Sequence, residues 1–194
     1  MHRIINPPNF VSNYSLYGKE PVTDKKENIL LAALQLFSNE GYNVVPTSKI
    51  AKQAGVSEGL IFKHFDNKKG LLDAIMEDAE LRVNQVFAPV LFETDPIKTI
   101  SKIIETPFNI REEEYNYWRL QFKLKWETEY YNPQKMKPII DKLQWAFSEL
   151  GYKDPQNEAE LLSQIVESVS VNILREGLKS QLKFKSFLQQ KYKV

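Results

Sequence analysis

Glu58, Gly59, Leu60 and Lys63 carry the clearest chemistry in this 194-residue chain, and it is the chemistry of recognition rather than of bond-making. In a DNA major groove a lysine can donate to guanine, a glutamate can accept from the cytosine amino group, and a leucine can meet the thymine methyl group. Gly59 removes side-chain bulk at the point where a helix would come nearest the base edges. Ser48, ten residues before Glu58, is a further exposed candidate for base reading. Alone, an exposed lysine and glutamate on a helix are only a solvated face; the elements that hold them decide whether they can meet a base.

Bond-making chemistry finds little support. His2 and His64 are the only histidines, and there is no cysteine, which excludes disulfides and thiolate catalysis. No Gly-rich phosphate loop, nucleophile elbow or metal-ligand spacing is present. Glu112, Glu113 and Glu114 suit a helix start through the helix dipole and need no metal. We therefore expect no enzyme, no catalytic residue, no metal and no cofactor. The rival to DNA recognition is a helical module that docks another protein, and such a module would show no salt-sensitive retention on non-specific DNA.

The positioning elements are two short helices and one sharp turn between Thr47 and Phe65. Ile50, Ala51 and Ala54 give the first helix a narrow apolar edge. Gly55 supplies the positive φ that ends it, and Val56 plugs the angle. Ser57 can cap the second helix with its hydroxyl, leaving Glu58 in a first turn that favours an anion. That helix is expected to bury Ile61, Phe62 and Phe65. Helices this short need a third, and Ile29, Ala33, Leu36 and Phe37 form its stripe between a cap at Thr23 or Asp24, with Glu27 at capping-box spacing, and a stop at Gly41. Val45 is a poor cap for the next helix, and Pro46 suits a first helical position. Together they make a helix-turn-helix, whose second helix a major groove admits.

The order of these residues (Ala32-Ala33, Leu36-Phe37 and Gly41-Tyr42, then Ile50-Ala51 and Ala54-Gly55-Val56-Ser57, then Lys68, Lys69 and Leu71-Leu72) resembles the N-terminal domain of the TetR/AcrR family of bacterial transcriptional regulators. The resemblance covers roughly 25–72. It implies that Thr47 and Lys68 donate to phosphates and that His64 touches the backbone. Phe62 departs from the tyrosine usual in the family, whose hydroxyl bonds a phosphate, which shifts the expected load to Lys52, Lys63 and His64. The resemblance also implies a homodimer on a double-stranded operator, with a small-molecule effector, apolar or aromatic in character, releasing a repressor from DNA.

The remaining chain reads as all-α, with about nine helices in total. Residues 1–22 lack a regular period and read as an arm; 23–70 form the helix-turn-helix domain; 71–194 form a larger helical domain for ligand binding and dimerisation. A fourth helix is expected from Lys68 to Val86, closed by Pro89, and others over 96–109, 112–130, 133–150, 157–177 and 180–192. Tyr115, Trp118, Phe122, Trp126, Trp145 and Phe147 concentrate aromatic bulk where the family keeps its ligand cavity. Arg119, Lys123 and Lys125 could meet an acidic ligand group from there. Residues 157–177 together with the final helix are expected at the dimer interface: Leu161, Leu162, Ile165, Val166, Val169, Ile173 and Leu174 make an apolar face too wide for one neighbour, aided by the small Ser163, Ser168 and Ser170, and the resemblance implies pairing of the last two long helices. Residues 1–70 hold nine Lys and Arg against six Asp and Glu, a balance of +3 inside a net charge of +1, so charge alone does not argue for nucleic acid. No membrane span or signal peptide is read, and a cytoplasmic protein is expected.

Overall fold

The computed structural model describes residues 24–127, 130 and 132–194. The arm at 1–22 and the capping side chains expected at Thr23 and Asp24 lie outside the described residues. Among those described there are nine α-helices and no strand: α1 Asp24–Glu40, α2 Thr47–Ala54, α3 Glu58–Phe65, α4 Lys68–Leu91, α5 Pro96–Glu105, α6 Tyr115–Leu124, α7 Lys137–Glu149, α8 Pro155–Glu176 and α9 Leu182–Tyr192. Short 3-10 turns at 106–109, 112–114, 133–136 and 178–181 join them. No helix among the described residues is long and apolar enough to cross a membrane.

The head packs as its sequence dictates. Ile29, Ala33, Leu36 and Phe37 of α1 close over Ile50 and Ala51 of α2 and Ile61 and Phe65 of α3, with Val45 plugging the loop between α1 and α2. Gly41 takes φ +101 and stops α1. Pro46 is itself the residue before α2 rather than its first helical residue, and its carbonyl accepts from the Lys49 and Ile50 amides. At the other end of α2, Gly55 sits at φ +66; its amide bonds the Lys52 carbonyl and the Val56 amide bonds that of Ala51, a Schellman closure. The head core does not stop at residue 70. Leu71, Leu72 and Ile75 of α4 and Leu120 and Leu124 of α6 belong to it.

The body forms a second cluster from Ile100, Ile103 and Ile104 of α5, Leu143, Ala146 and Phe147 of α7, Ala159 and Leu162 of α8, and Leu188 and Tyr192 of α9. Val90, in the last turn of α4, reaches this cluster too, so one continuous helix, about 36 Å long at 1.5 Å per residue, is buried in head and body at its two ends. Pro89 was expected to close α4 and instead lies inside it. Its ring withdraws the amide that would bond the Gln85 carbonyl and crowds that carbonyl, a cost set against the burial of Val90 in the body core one residue on. The Pro89 carbonyl itself accepts from the Lys102 ammonium at 3.1 Å. Asp95 then caps α5 by accepting from the Ile97 and Lys98 amides, and Asp154 caps α8 from the Asn157 amide.

Three helices are clearly shorter than expected, and the first, α5, ends at Glu105 because residues 106–109 tighten into a 3-10 turn. The α6 helix ends at Leu124 rather than near 130, because Glu127 turns to accept from Asn43 at 3.0 Å and the Tyr130 ring meets Tyr42 edge-on. The α7 helix begins at Lys137, with Asn132 capping the 3-10 turn before it.

Candidate nucleic-acid interface

The recognition surface is built by the angle between α2 and α3. Ile61 and Phe65, one turn apart, anchor α3 in the head core and turn Gly59, Phe62 and Lys63 outward. Ser48 and Lys52 are exposed on α2. Nothing lies within 4 Å of where a Gly59 side chain would begin, so open space borders α3 at its first turn. Here two expectations are corrected. Phe62 is 45% exposed rather than buried, and Leu60 is half-buried against the head core rather than projecting freely. At 100° per residue, Phe62 falls beside Glu58 and Gly59, and the core-facing slots go to 61 and 65. The sequence held the signal: a family tyrosine that reaches a phosphate must stand on the outer face, so its phenylalanine counterpart stands there as well.

Ser57 adopts the extended geometry of a cap, but its hydroxyl accepts no bond from the helix; its carbonyl accepts from the Leu60 amide instead. The Thr47 hydroxyl donates to Glu58 across the turn, tying the first turns of α2 and α3 together. Lys68 is drawn inward: its ammonium bonds the Asn43 carbonyl at 3.3 Å, sits 4.5 Å from the Tyr42 ring, and has its pKa lowered by burial. His64 is half-buried with its ring near Phe65. Thus Ser48, Lys52, Gly59 and Lys63 share the open face, Glu58 borders it, and Leu60 and Lys68 point elsewhere.

The elbow between α3 and α4 sets the angle of this surface to the body. Asp66 takes φ +66, and the Asn67 side chain accepts from the Gly70 amide at 2.9 Å. A side chain at Gly70 would begin 2.1 Å from the Phe65 carbonyl oxygen, so the elbow closes only on glycine. An open furrow of about 540 Å³ beside it is lined by Lys26, Lys63 and His64 and by Asp66, Asp73 and Glu77, cations and carboxylates together.

The family model for bacterial regulatory proteins of the tetR family matches residues 29–75. The uncharacterized HTH-type transcriptional regulator YvkB of Bacillus subtilis strain 168 is 30% identical over 142 residues, covering 69% of this chain and 73% of YvkB. The chain belongs to the TetR family of bacterial regulatory proteins. The nucleoid occlusion factor SlmA of Vibrio cholerae is 36% identical over 74 residues, but that match spans only 36% of this chain and 38% of SlmA. A TetR-like transcriptional regulator from Rhodococcus sp. RHA1 superposes with a TM-score of 0.75 at 16% identity, over 89% of this chain and 97% of that one, which shows the shared fold. This TetR-family member is accordingly a transcriptional regulator with a DNA-binding domain, and not an enzyme.

In the body of this TetR-family regulator the aromatic set divides. Tyr115, Trp118 and Phe122 of α6 gather with Ile110, Val83, Val86, Phe87 and Leu174 in a third cluster. Trp126 is 91% exposed beyond the end of α6 and forms no pocket wall, and Phe147 is wholly buried against Tyr152 and Tyr192. Trp145 lies under the Lys142 ammonium at the surface. Arg119 donates to the Leu174 carbonyl, Lys123 to the Asn39 carbonyl, and Lys125 pairs with Glu167, so none of the three cations faces a cavity. A smaller cleft, about 240 Å³, opens between α4 and α5 among Val86, Pro89, Val90, Lys102, Glu105, Thr106 and Asn109.

The expected dimer face divides: four of its α8 residues are buried within the chain, while Leu161 and the final helix, α9, keep apolar side chains exposed. Leu162, Val169, Ile173 and Leu174 are buried within the chain, with Ile165 and Val166 half-buried beside them. The apolar side chains left outside are Leu161 of α8 and Leu182, Phe184 and Phe187 of α9, the two rings stacked 5.8 Å apart. Periodicity marked the wide apolar face of α8 but could not say that the chain's own helices would cover it.

Proposed function

We propose that this regulator is a homodimeric repressor whose two heads read a palindromic operator on double-stranded DNA, and that a small molecule bound in the body releases it. On this reading residues 23–70 are the DNA-binding head and 71–194 the ligand-binding and dimerisation body, working in the cytoplasm. The observation that carries it is α4. Its first turns are part of the head core and its last turn part of the body core, so a shift at one end displaces the other. Between the ends, Asp78 and Arg82 of α4 join Glu114 before α6: Arg82 bonds Asp78 at 3.1 Å and Glu114 at 3.4 Å, with its guanidinium 4.3 Å from the Tyr117 ring. The cleft flanked by Val86 and Val90 lies along the same helix, next to the Tyr115, Trp118 and Phe122 cluster, and is the proposed site of the effector.

Ser48, Lys52, Gly59 and Lys63 are the proposed DNA contacts of the open face, with Thr47, Glu58 and His64 at its border. Heads on a two-fold axis would meet half-sites one helical turn apart, about 34–36 Å. Selection of bound sequences from a random DNA pool tests the reading: a palindromic consensus with that spacing is expected. Coupling requires the effector to bind the free and DNA-bound states with different affinity. A compound that binds the body tightly while operator affinity stays the same would remove release from the mechanism for that compound.

A further inference from the structure

We infer that Glu58 reads a cytosine in the operator and that Thr47 is its positioning residue rather than a phosphate ligand. The inference rests on the DNA-binding reading above. Thr47 opens α2 and Glu58 opens α3, eleven residues later, yet the Thr47 hydroxyl donates to a Glu58 carboxylate oxygen across the turn. That bond fixes one oxygen and leaves the other to accept. Among the described residues no ammonium or guanidinium pairs with Glu58, whereas Lys49 on the same surface is engaged by Glu40. Beside Glu58 stands Gly59, with no atom within 4 Å of where its side chain would start, so a base edge can approach the carboxylate closely.

Chemistry then narrows what that edge is. A carboxylate only accepts, and near the phosphates it is repelled unless a donor meets it. Major-groove donors are the amino groups of cytosine and adenine, and adenine places its N7 acceptor next to that amino group, where a carboxylate is opposed. Guanine and thymine offer only acceptors at this edge, apart from the thymine methyl. Cytosine is therefore the base that satisfies Glu58, and the other three are penalised by an anion left without a partner. The penalty needs a carboxylate that cannot swing aside, which is what the Thr47 bond provides.

The test compares bound sequences selected from a random pool by the full-length protein and by Glu58→Gln, Thr47→Val and Thr47→Ser, each checked for an unchanged thermal melt. The wild type should fix one cytosine in each half-site. Glu58→Gln, whose carboxamide can pair with both N6 and N7 of adenine, should exchange it for adenine, with a preference of about tenfold. Thr47→Val should weaken the cytosine preference several-fold while affinity for DNA lacking the consensus stays the same, and Thr47→Ser should restore the preference. If Thr47→Val instead weakens binding to consensus and non-consensus DNA alike, with cytosine still fixed, Thr47 is a phosphate ligand and the inference is overturned. A consensus unchanged in Glu58→Gln overturns it too while leaving operator recognition intact. A wild type that selects no consensus overturns both the inference and the operator reading.

Discussion

Phe62 presents 45% of its surface on the outer side of α3, where the TetR family usually carries a tyrosine that bonds phosphate. A phenyl ring there keeps the shape of the contact and lacks the donor. Phe62→Tyr should therefore tighten operator binding about fivefold, the worth of one hydrogen bond of about 1 kcal/mol, as read by fluorescence anisotropy. No gain would mean that the ring does not face a phosphate. Lys63, exposed one residue on, should act through charge: Lys63→Ala should lower the salt slope of DNA binding by about one unit, and an unchanged slope in titrations at several salt concentrations would strike it from the contacts. The candidate site was legible in part. Ser48, Lys52, Gly59 and Lys63 stand on the open face because helix-turn-helix geometry follows from Ile50, Gly55, Ile61 and Phe65. Which neighbour each side chain prefers was not legible, since Thr47 finding Glu58, and Lys68 folding onto Tyr42, depend on contacts eleven and more residues apart.

Elements were legible to the extent that their signals are local. Asp95, Asp154 and Asn67 cap the helices that follow them, and Gly41 and Gly55 end those that precede them. Pro89 inside α4 and the early end of α6 escaped because neighbours decide them: the body core buries Val90 just past the proline, and Asn43 and Tyr42 capture Glu127 and Tyr130. The elbow before α4 gives the sharpest prediction at this scale. Gly70→Ala must push its methyl group against the Phe65 carbonyl, so it should destabilise the fold by about 1–3 kcal/mol and lower the melting temperature by about 2–4 °C for each of them. An unshifted melt would show that the elbow opens freely. At the other end of α4, the Lys102 ammonium, followed by the Asp95 and Thr94 amides, holds the Glu93 carboxyl down to about 2 from an ordinary 4.5. A depressed carboxyl stabilises the fold fully above its unfolded pKa and loses that contribution as pH falls towards its folded one. Thermal melts from pH 4.5 down to 2 should accordingly fall less steeply in Glu93→Gln than in the wild type, and equal slopes would show that the pair contributes nothing to stability.

At the scale of the whole molecule the problem is the surface the fold leaves uncovered. Leu162, Val169, Ile173 and Leu174 are satisfied inside one chain, so they cannot also hold a second copy. What remains on α8 and α9 is smaller: Leu161, Leu182 and the stacked Phe184 and Phe187, with Phe187 54% exposed. Large apolar side chains grouped in this way are a contact awaiting a partner more than a solvated face. A two-fold axis beside them would bring each ring pair against its own copy and would fix both heads on one side of the molecule. Under that arrangement Phe184→Asp and Phe187→Asp together should convert a dimer to a monomer in analytical ultracentrifugation without lowering secondary structure, because neither ring is part of the body core. Loss of the dimer should then weaken binding to a full palindrome by at least about a hundredfold while affecting a single half-site little, since two linked heads gain roughly that much over one through effective concentration. A double variant that stays dimeric and binds the palindrome normally would move the interface elsewhere on the body. If the variant is monomeric but equally tight on the palindrome, the two heads do not act as a pair, and the repressor mechanism loses its symmetry.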